Sequence, residues 1–373
     1  MLDIKKILKR SWHILWNYRM LWVFGFILAL AAGGPNYGNS SNYTMNDDGR
    51  RQRPGIESPG DWDGLRGQTF DEVVNNALLD ARTGIQKLQE QHPVEFRMGI
   101  AAGITLFVWS LLLGILVAVL RYVAETASIH MVDEYEQSGV KVGFRQGWKY
   151  GWSRAAWRVF LVNFLVHLPG LVLFVVLGLL GWWVFSAFMG GVRSTIISSI
   201  IASIGLAFLL IFVITILMVV LYVLRDFAWR MIVLDGAGAR EALRMAWALV
   251  KRQWKNVGLT WLVMVGLKIA WGIGFFILIF PLLVVSILTA VGGALVAILP
   301  TLLTAGVASL LSAPDYWPWI FAAIIGLPFF VIVAFSPILL VSGWAQIYQS
   351  NVWTLTYREL KAIEAVAPEA IQS

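Results

Sequence analysis

Six stretches of the chain, residues 16–32, 98–120, 159–185, 198–224, 257–280 and 317–344, are almost wholly apolar. A helix crosses roughly 30 Å of bilayer hydrocarbon in about 20 residues, and it is one of the few structures that satisfies every backbone amide within lipid. The runs therefore predict six transmembrane helices. Composition agrees, because 58% of residues are hydrophobic and only 14% are charged, whereas a soluble domain carries charge on about a quarter of its positions. The expected fold is all-α: a polytopic membrane helical bundle, with 1–373 as a single membrane domain.

Lysine and arginine orient the spans, since cytoplasmic flanks are enriched in them. Lys5, Lys6, Lys9, Arg10 and Arg19 place 1–19 in the cytoplasm as an interface helix. Segments 121–158 (Arg121, Lys141, Arg145, Lys149, Arg154, Arg158) and 225–256 (Arg225, Arg230, Arg240, Arg244, Lys251, Arg252, Lys255) read as cytoplasmic interface helices too. The opposite side holds Arg193 between the third and fourth spans and no Lys or Arg from 291 to 317. Both termini are then cytoplasmic, with 345–373 as a tail carrying Arg358 and Lys361.

Residues 33–97 are the exception and are assigned outside, because long loops translocate largely regardless of charge. Their first part, 33–68, is rich in Gly, Asn, Ser, Asp and Pro and reads as a linker. From 69 to 91, a Thr69/Glu72 capping box followed by Phe70, Val74, Leu78, Ala81, Ile85 and Leu88 at helical spacing predicts an amphipathic helix. Residues 282–311 are apolar and flanked or broken by Pro281 and Pro300, which reads as an external apolar hairpin, with a seventh span as the competing reading. The basic start and Ala29-Leu30-Ala31 also resemble a cleavable signal. Trp12, Trp16 and Tyr18 make a retained anchor the expectation.

One short pattern, basic, any, small, Trp, precedes the first, third and fifth spans: Lys9-Arg10-Ser11-Trp12, Arg145-Gln146-Gly147-Trp148 and Arg244-Met245-Ala246-Trp247. Apolar stripes at helical spacing accompany it: Leu8, Trp12 and Trp16; Phe144, Trp148 and Trp152; Leu243, Trp247, Val250 and Trp254. Beside the second and third stripes run Gly143, Gly147, Gly151 and Ala155, and Gly238, Ala242 and Ala246, which would let backbones approach closely. The implied architecture is three hairpins, each entered through an amphipathic cytoplasmic interface helix. Two readings fit the tryptophans and cations: interfacial anchors, with Trp at headgroup depth and Lys or Arg on phosphates, or a ligand groove. Anchoring is the expectation, with Trp12, Trp16, Trp148, Trp152, Trp247, Trp254, Lys9, Arg145 and Arg244 as the anchors.

Lys268 lies about 16 Å into the fifth span at 1.5 Å per residue, a depth where a lysine costs roughly 2.5 to 3.5 kcal/mol. It is expected to face the bundle interior. Asn163 and His167 share one face of the third span and are candidates to meet it in a polar site. The competing reading is a lysine satisfied by carbonyls freed near Pro169 or Pro281. The four histidines, His13, His92, His130 and His167, have no i, i+4 partner, and cysteine is absent, so no metal site or cofactor is expected. Gly-x-Ser-x-Gly, His-Glu-x-x-His and P-loop patterns do not occur, so no catalytic residue is assigned. Gly99 and Gly103 make a Gly-x-x-x-Gly pair, a hint of close helix packing or dimerisation.

Residues 227–262, FAWRMIVLDGAGAREALRMAWALVKRQWKNVGLTWL, and TLTYREL at 354–360 resemble bacterial membrane proteins of the glycerophosphodiester phosphodiesterase membrane-domain type and the related YciC-like group. In that family the catalytic barrel, where present, is a separate soluble domain with acidic metal ligands, and nothing in this chain corresponds to it. The resemblance implies a stand-alone membrane module without phosphodiesterase chemistry. The expected function is that of a non-enzymatic protein of the bacterial inner membrane that binds lipid or organises the membrane. Its partners would be anionic headgroups at the cytoplasmic face, with a second copy or another membrane protein as further candidates. Nucleic acid is excluded, because the net charge of +7 sits beside hydrophobic spans. The alternative is a transporter or permease-like subunit built around Lys268, Asn163 and His167.

Overall fold

The computed structural model describes residues 2–32, 89–189, 193–311, 313–314 and 316–366, together with 79, 82, 83 and 86. These are helical apart from short connections, with no strand. In order they form α1 (Ile4–Asn17), α2 (Met20–Ala31), α3 (Pro93–Ser138), α4 (Phe144–Gly151), α5 (Arg154–Met189), α6 (Arg193–Leu234), α7 (Ala239–Arg252), α8 (Trp254–Leu310), α9 (Trp317–Ala334) and α10 (Ser336–Val366). Among the described residues, α3, α5, α6, α8 and α9 are long and apolar enough to cross a membrane, and α1 with α2, bent by 98°, gives a sixth if counted as one broken span.

The linker 33–68 lies outside the described residues, as do Thr69, Phe70, Glu72, Val74, Leu78, Ala81, Ile85 and Leu88 of the expected amphipathic helix. Leu79, Arg82, Thr83, Gln86 and 89–91 within that range are helical.

Instead of one body, helix contacts divide the chain into two compact units, Met1–Gly38 with Ala101–Leu168 and Leu217–Ser373, and Asn39–Ile100 with Pro169–Ile216. The described residues of the second unit are almost wholly helical and richly apolar on their surface, with Phe174, Ile201 and Phe208 exposed, as suits lipid contact. The first unit holds the core, drawn from α1 to α8 and α10.

In the first unit the long helices end and the short ones begin by one device used twice. Gly139 (φ 70°) stops α3 and Gly236 (φ 71°) stops α6, both in the left-handed conformation that glycine adopts without a Cβ clash. Ala237 N–H returns to Met231 O at 3.2 Å, closing the second stop. After each, a glycine in extended conformation, Gly143 or Gly238, starts the short helix. Glu241 reaches back to the Gly238 N–H at 3.4 Å, and Arg158 donates to Gly236 O at 2.7 Å, holding the turn from outside. Gly236-Ala237-Gly238 is therefore a helix stop and start.

Helices α2 and α10 cross at two glycines. A Cβ on Gly25 would lie 2.8 Å from Gly343 O, and one on Gly343 would lie 2.6 Å from Gly25 O, so only glycine permits this separation. A Cβ on Gly103 would meet nothing within 4 Å, so no helix among the described residues packs closely there.

Three segments differ from expectation. Residues 282–311 were expected to form a hairpin, yet 282–310 are the second half of α8, with Pro281 and Pro300 carried inside the helix. Proline removes one hydrogen bond and bends a helix, and apolar helices absorb that. Segments 121–158 and 225–256 are not interface helices throughout, since 121–138 and 225–234 continue α3 and α6 before α4 and α7 begin. The expected tail, 345–373, is helical up to Val366, and 350–357 are buried at every position. Ser350, Thr354, Tyr357 and Arg358 find partners within the protein.

Candidate functional site

A helix buried on all sides is the axis of its bundle, and the axis formed by α10 is polar. Ser350, Asn351, Thr354 and Thr356 are all buried. Against Ser350 lies Arg230 of α6, 1% exposed. Its Nη2 donates to Ser350 O at 3.2 Å and Oγ at 3.1 Å, and its Nη1 to Asp226 O at 2.8 Å. Ser350 Oγ donates to Glu125 Oε1 at 3.0 Å, and that same oxygen lies 3.7 Å from Arg230 Nη2. One guanidinium, one carboxylate and one hydroxyl thus join α3, α6 and α10. The planar guanidinium presents five donors in a fixed fork and so meets several acceptors in a set geometry, which the three rotating donors of a lysine do not impose. Arg230 Nε, Thr126 Oγ1 and both amide atoms of Asn351 are buried without a partner among the described residues.

Toward the C-terminus of α10 the seam opens. Tyr357 donates to Asp235, Lys361 Nζ lies 2.7 Å from the other oxygen of Asp235, and Arg358 pairs with Asp133. Burial first, then the hydrogen bond to Asp235, pushes the Tyr357 phenol above its usual range, so it remains a donor. These residues, with Gln137 and Ala365, line a cleft of about 410 Å³. A second cleft of about 280 Å³ on the other side of Arg358 is lined by Lys6, Arg10, Glu136 and Glu359, with Arg10 Nε on Glu136 at 2.8 Å.

The three short helices α1, α4 and α7 lie around this core with the same orientation. The small residue of each repeat, Ser11, Gly147 or Ala246, is buried. At Gly147 a Cβ would run into Met131 and Phe24, and at Gly151 into the Val123 carbonyl. The other side faces out: Trp12 is 46% and Trp247 48% exposed, and Lys9, Arg145 and Arg244 are exposed. Trp16, Trp152 and Trp254 are exposed as well, and Trp148 is half-buried. Trp16 and Trp22 cluster with Trp344 at ring separations of 5.3 and 5.0 Å.

The polar trio of the sequence is brought together in part. Asn163 Nδ2 donates to Tyr122 Oη at 2.8 Å, and His167 Nδ1 lies 2.7 Å from Asn163 O. Lys268 is exposed on α8, and no hydrogen bond or ion pair among the described residues joins it to either, so it does not face the interior of its own chain. Sequence reasoning missed Glu125, Arg230 and Ser350 as a group, and Tyr122 as the partner of Asn163. The available signal was Glu125 and Arg230, each sharing a helix face with an apolar residue, Ile129 or Phe227, on segments read as cytoplasmic interface helices.

No curated protein and no solved structure matches this chain. Residues 227–262 and 354–360 meet where Asp235 accepts from Tyr357, and Arg230 and Phe227 of the first reach Ser350 and Trp353, just ahead of the second. A family model matches residues 18–355, which take in Glu125, Arg230 and Ser350, and the chain belongs to that family, a family of unknown function designated DUF7544.

Proposed function

We propose that the chain is a non-enzymatic, multi-pass protein of the bacterial inner membrane that gathers anionic lipid through a rim of tryptophan and basic residues on α1, α4 and α7. The observation that carries this reading is the repeated orientation: in all three helices the small residue is buried while the basic residue, and Trp12 and Trp247, point outward. Trp and Lys/Arg together suit the headgroup layer, where an amphipathic ring sits at the interface and a cation reaches phosphate. In this reading the rim lies on the cytoplasmic side, three hairpins follow the three helices, and the seam of fixed charges keeps the rim rigid. The likeness to the glycerophosphodiester phosphodiesterase membrane domain favours a stand-alone module of this kind.

Native mass spectrometry of the purified protein tests it. The wild type should retain phosphatidylglycerol or cardiolipin, and a Lys9→Gln, Arg145→Gln, Arg244→Gln variant should retain several-fold less. Equal retention in both, or no headgroup preference in the wild type, would defeat the proposal. A permease-like subunit is the second reading, favoured by Asn163 Oδ1, which is buried with no partner among the described residues. Proteoliposome flux abolished by His167→Ala would promote it.

A further inference from the structure

Helix α8 is 57 residues long, which at 1.5 Å per residue is about 85 Å. A bilayer offers about 30 Å of hydrocarbon, and a tilt of 40° lets roughly 26 residues fit within it. About half the helix is left over, and it is poorly suited to water. Between Lys268 and Arg358 the only charged residue is Asp315. Along the distal half Ile287, Leu288, Val291, Leu295 and Leu299 are 66–70% exposed.

This distal half is not solitary, because α9 runs antiparallel along it. Thr289 Oγ1 donates to Ala334 O at 2.7 Å, and Gly293 approaches Phe330 so closely that a Cβ would sit 2.8 Å from its carbonyl oxygen. Gly326 makes a similar approach to Thr301. The proximal half pairs with α10 instead, through Phe275, Ile338 and Val341. Both sides of this two-helix arm are interrupted close to one another. In α8, Pro281 lacks the N–H that would bind Ile277. Opposite it α9 stops at Ala334, and α10 starts with Ser336 and Pro337. Ile279 and Leu282 pack on the cluster of Phe275, Ile338 and Val341, and Thr289 meets Ala334, so the two breaks lie within about two helical turns of each other along the arm.

We infer that in a bilayer the arm folds at Pro281 and Phe335–Pro337, so that the distal hairpin, 282–334, returns through the lipid that the proximal half of α8 crosses. This adds two crossings to the six of the sequence reading and gives the exposed apolar flank of the hairpin lipid acyl chains as its partner. The dimensions fit, since α9 has 18 residues, about 27 Å of helix. The turn also fits. It carries Asp315 beside Tyr316, Trp317 and Trp319, the polar and aromatic mixture of a headgroup layer, which on a straight arm would sit far from any headgroup. Two extra crossings return the chain to the same side, so the Lys/Arg asymmetry is preserved. The inference needs a membrane-spanning chain but not the lipid-rim proposal.

The chain has no cysteine, so each introduced thiol is unique. Full-length proteins with Ala313→Cys, Ser336→Cys, and the references Gln253→Cys and Ser40→Cys would be labelled with a membrane-impermeant maleimide, in intact spheroplasts and in inverted vesicles. Ala313→Cys should label only from the side that labels Gln253→Cys, and Ser336→Cys only from the opposite side. Labelling of Ala313→Cys from the Ser40→Cys side would overturn the inference, as would protection from both sides. Ser309→Cys, one turn earlier, repeats the first measurement should the Ala313 variant fold poorly.

Discussion

Replacing Gly343 by alanine places a methyl group 2.6 Å from Gly25 O and 2.8 Å from Phe26 N. Both are backbone atoms and cannot rotate aside. Ordinary contact begins near 3.4 Å, so α2 and α10 must separate by a little under 1 Å. Helix α2 has only 12 residues and is held at its start by Tyr18 Oη on Val142 O at 2.7 Å, so the shift loosens its whole length. Overpacking of this kind costs about 1–3 kcal/mol, against a gain of up to about 1 kcal/mol for alanine over glycine in a helix. The same change at Gly266, where a Cβ meets nothing within 4 Å, keeps the gain without the clash. Thermal unfolding in detergent, followed by circular dichroism, should show Gly343→Ala melting several degrees below wild type and Gly266→Ala at or slightly above it. A Gly343→Ala protein as stable as Gly266→Ala would refute the argument that this crossing is set by backbone contact.

Glu125→Gln and Arg230→Met should each destabilise strongly, by about 3–5 kcal/mol where a buried charge loses its partner, while the apolar pair Glu125→Leu/Arg230→Met recovers much of the loss; denaturant melts of the three proteins check this. Tyr357→Phe should cost about 1 kcal/mol. Because the folded-state phenol is raised above its unfolded value, its contribution is fully present below about pH 10 and fades only at higher pH. A difference between wild type and variant that already shrinks between pH 6 and 9 would contradict that sign. Asn163→Ala removes the donor to Tyr122 and should lower stability by about 1–2 kcal/mol, whereas Lys268→Ala, on an exposed position, should leave the melting midpoint of the detergent-solubilised protein unchanged.

The short helices were legible because amphipathic periodicity is a local signal. Ser11, Gly147 and Ala246 recur at the same offset from Trp, and the structure buries all three. The polar axis was not legible for the opposite reason. Ser350, Asn351, Thr354 and Arg358 look like a solvated tail until Glu125, Arg230 and Asp133 are brought to them from over a hundred positions away. Residues 282–310 failed differently, because an evenly apolar stretch has no period to distinguish a continuous helix from a hairpin. Depth along a span could be counted for Lys268, but which way its side chain faces depends on neighbours that spacing alone does not supply.

The bundle axis is the last described helix, and this orders how the protein can be made. As translation proceeds, Glu125 and then Arg230 emerge and wait, each without the hydroxyl of Ser350 that later joins them. The glycine seat on α2 stays empty until Gly343 arrives. A nascent chain stalled before residue 350 would therefore expose unfinished polar helices to insertion chaperones and quality-control proteases. The seam is complete only once α10 brings Ser350 to Glu125 and Arg230, so this part of the bundle closes after the helices it joins have been made, instead of accumulating hairpin by hairpin.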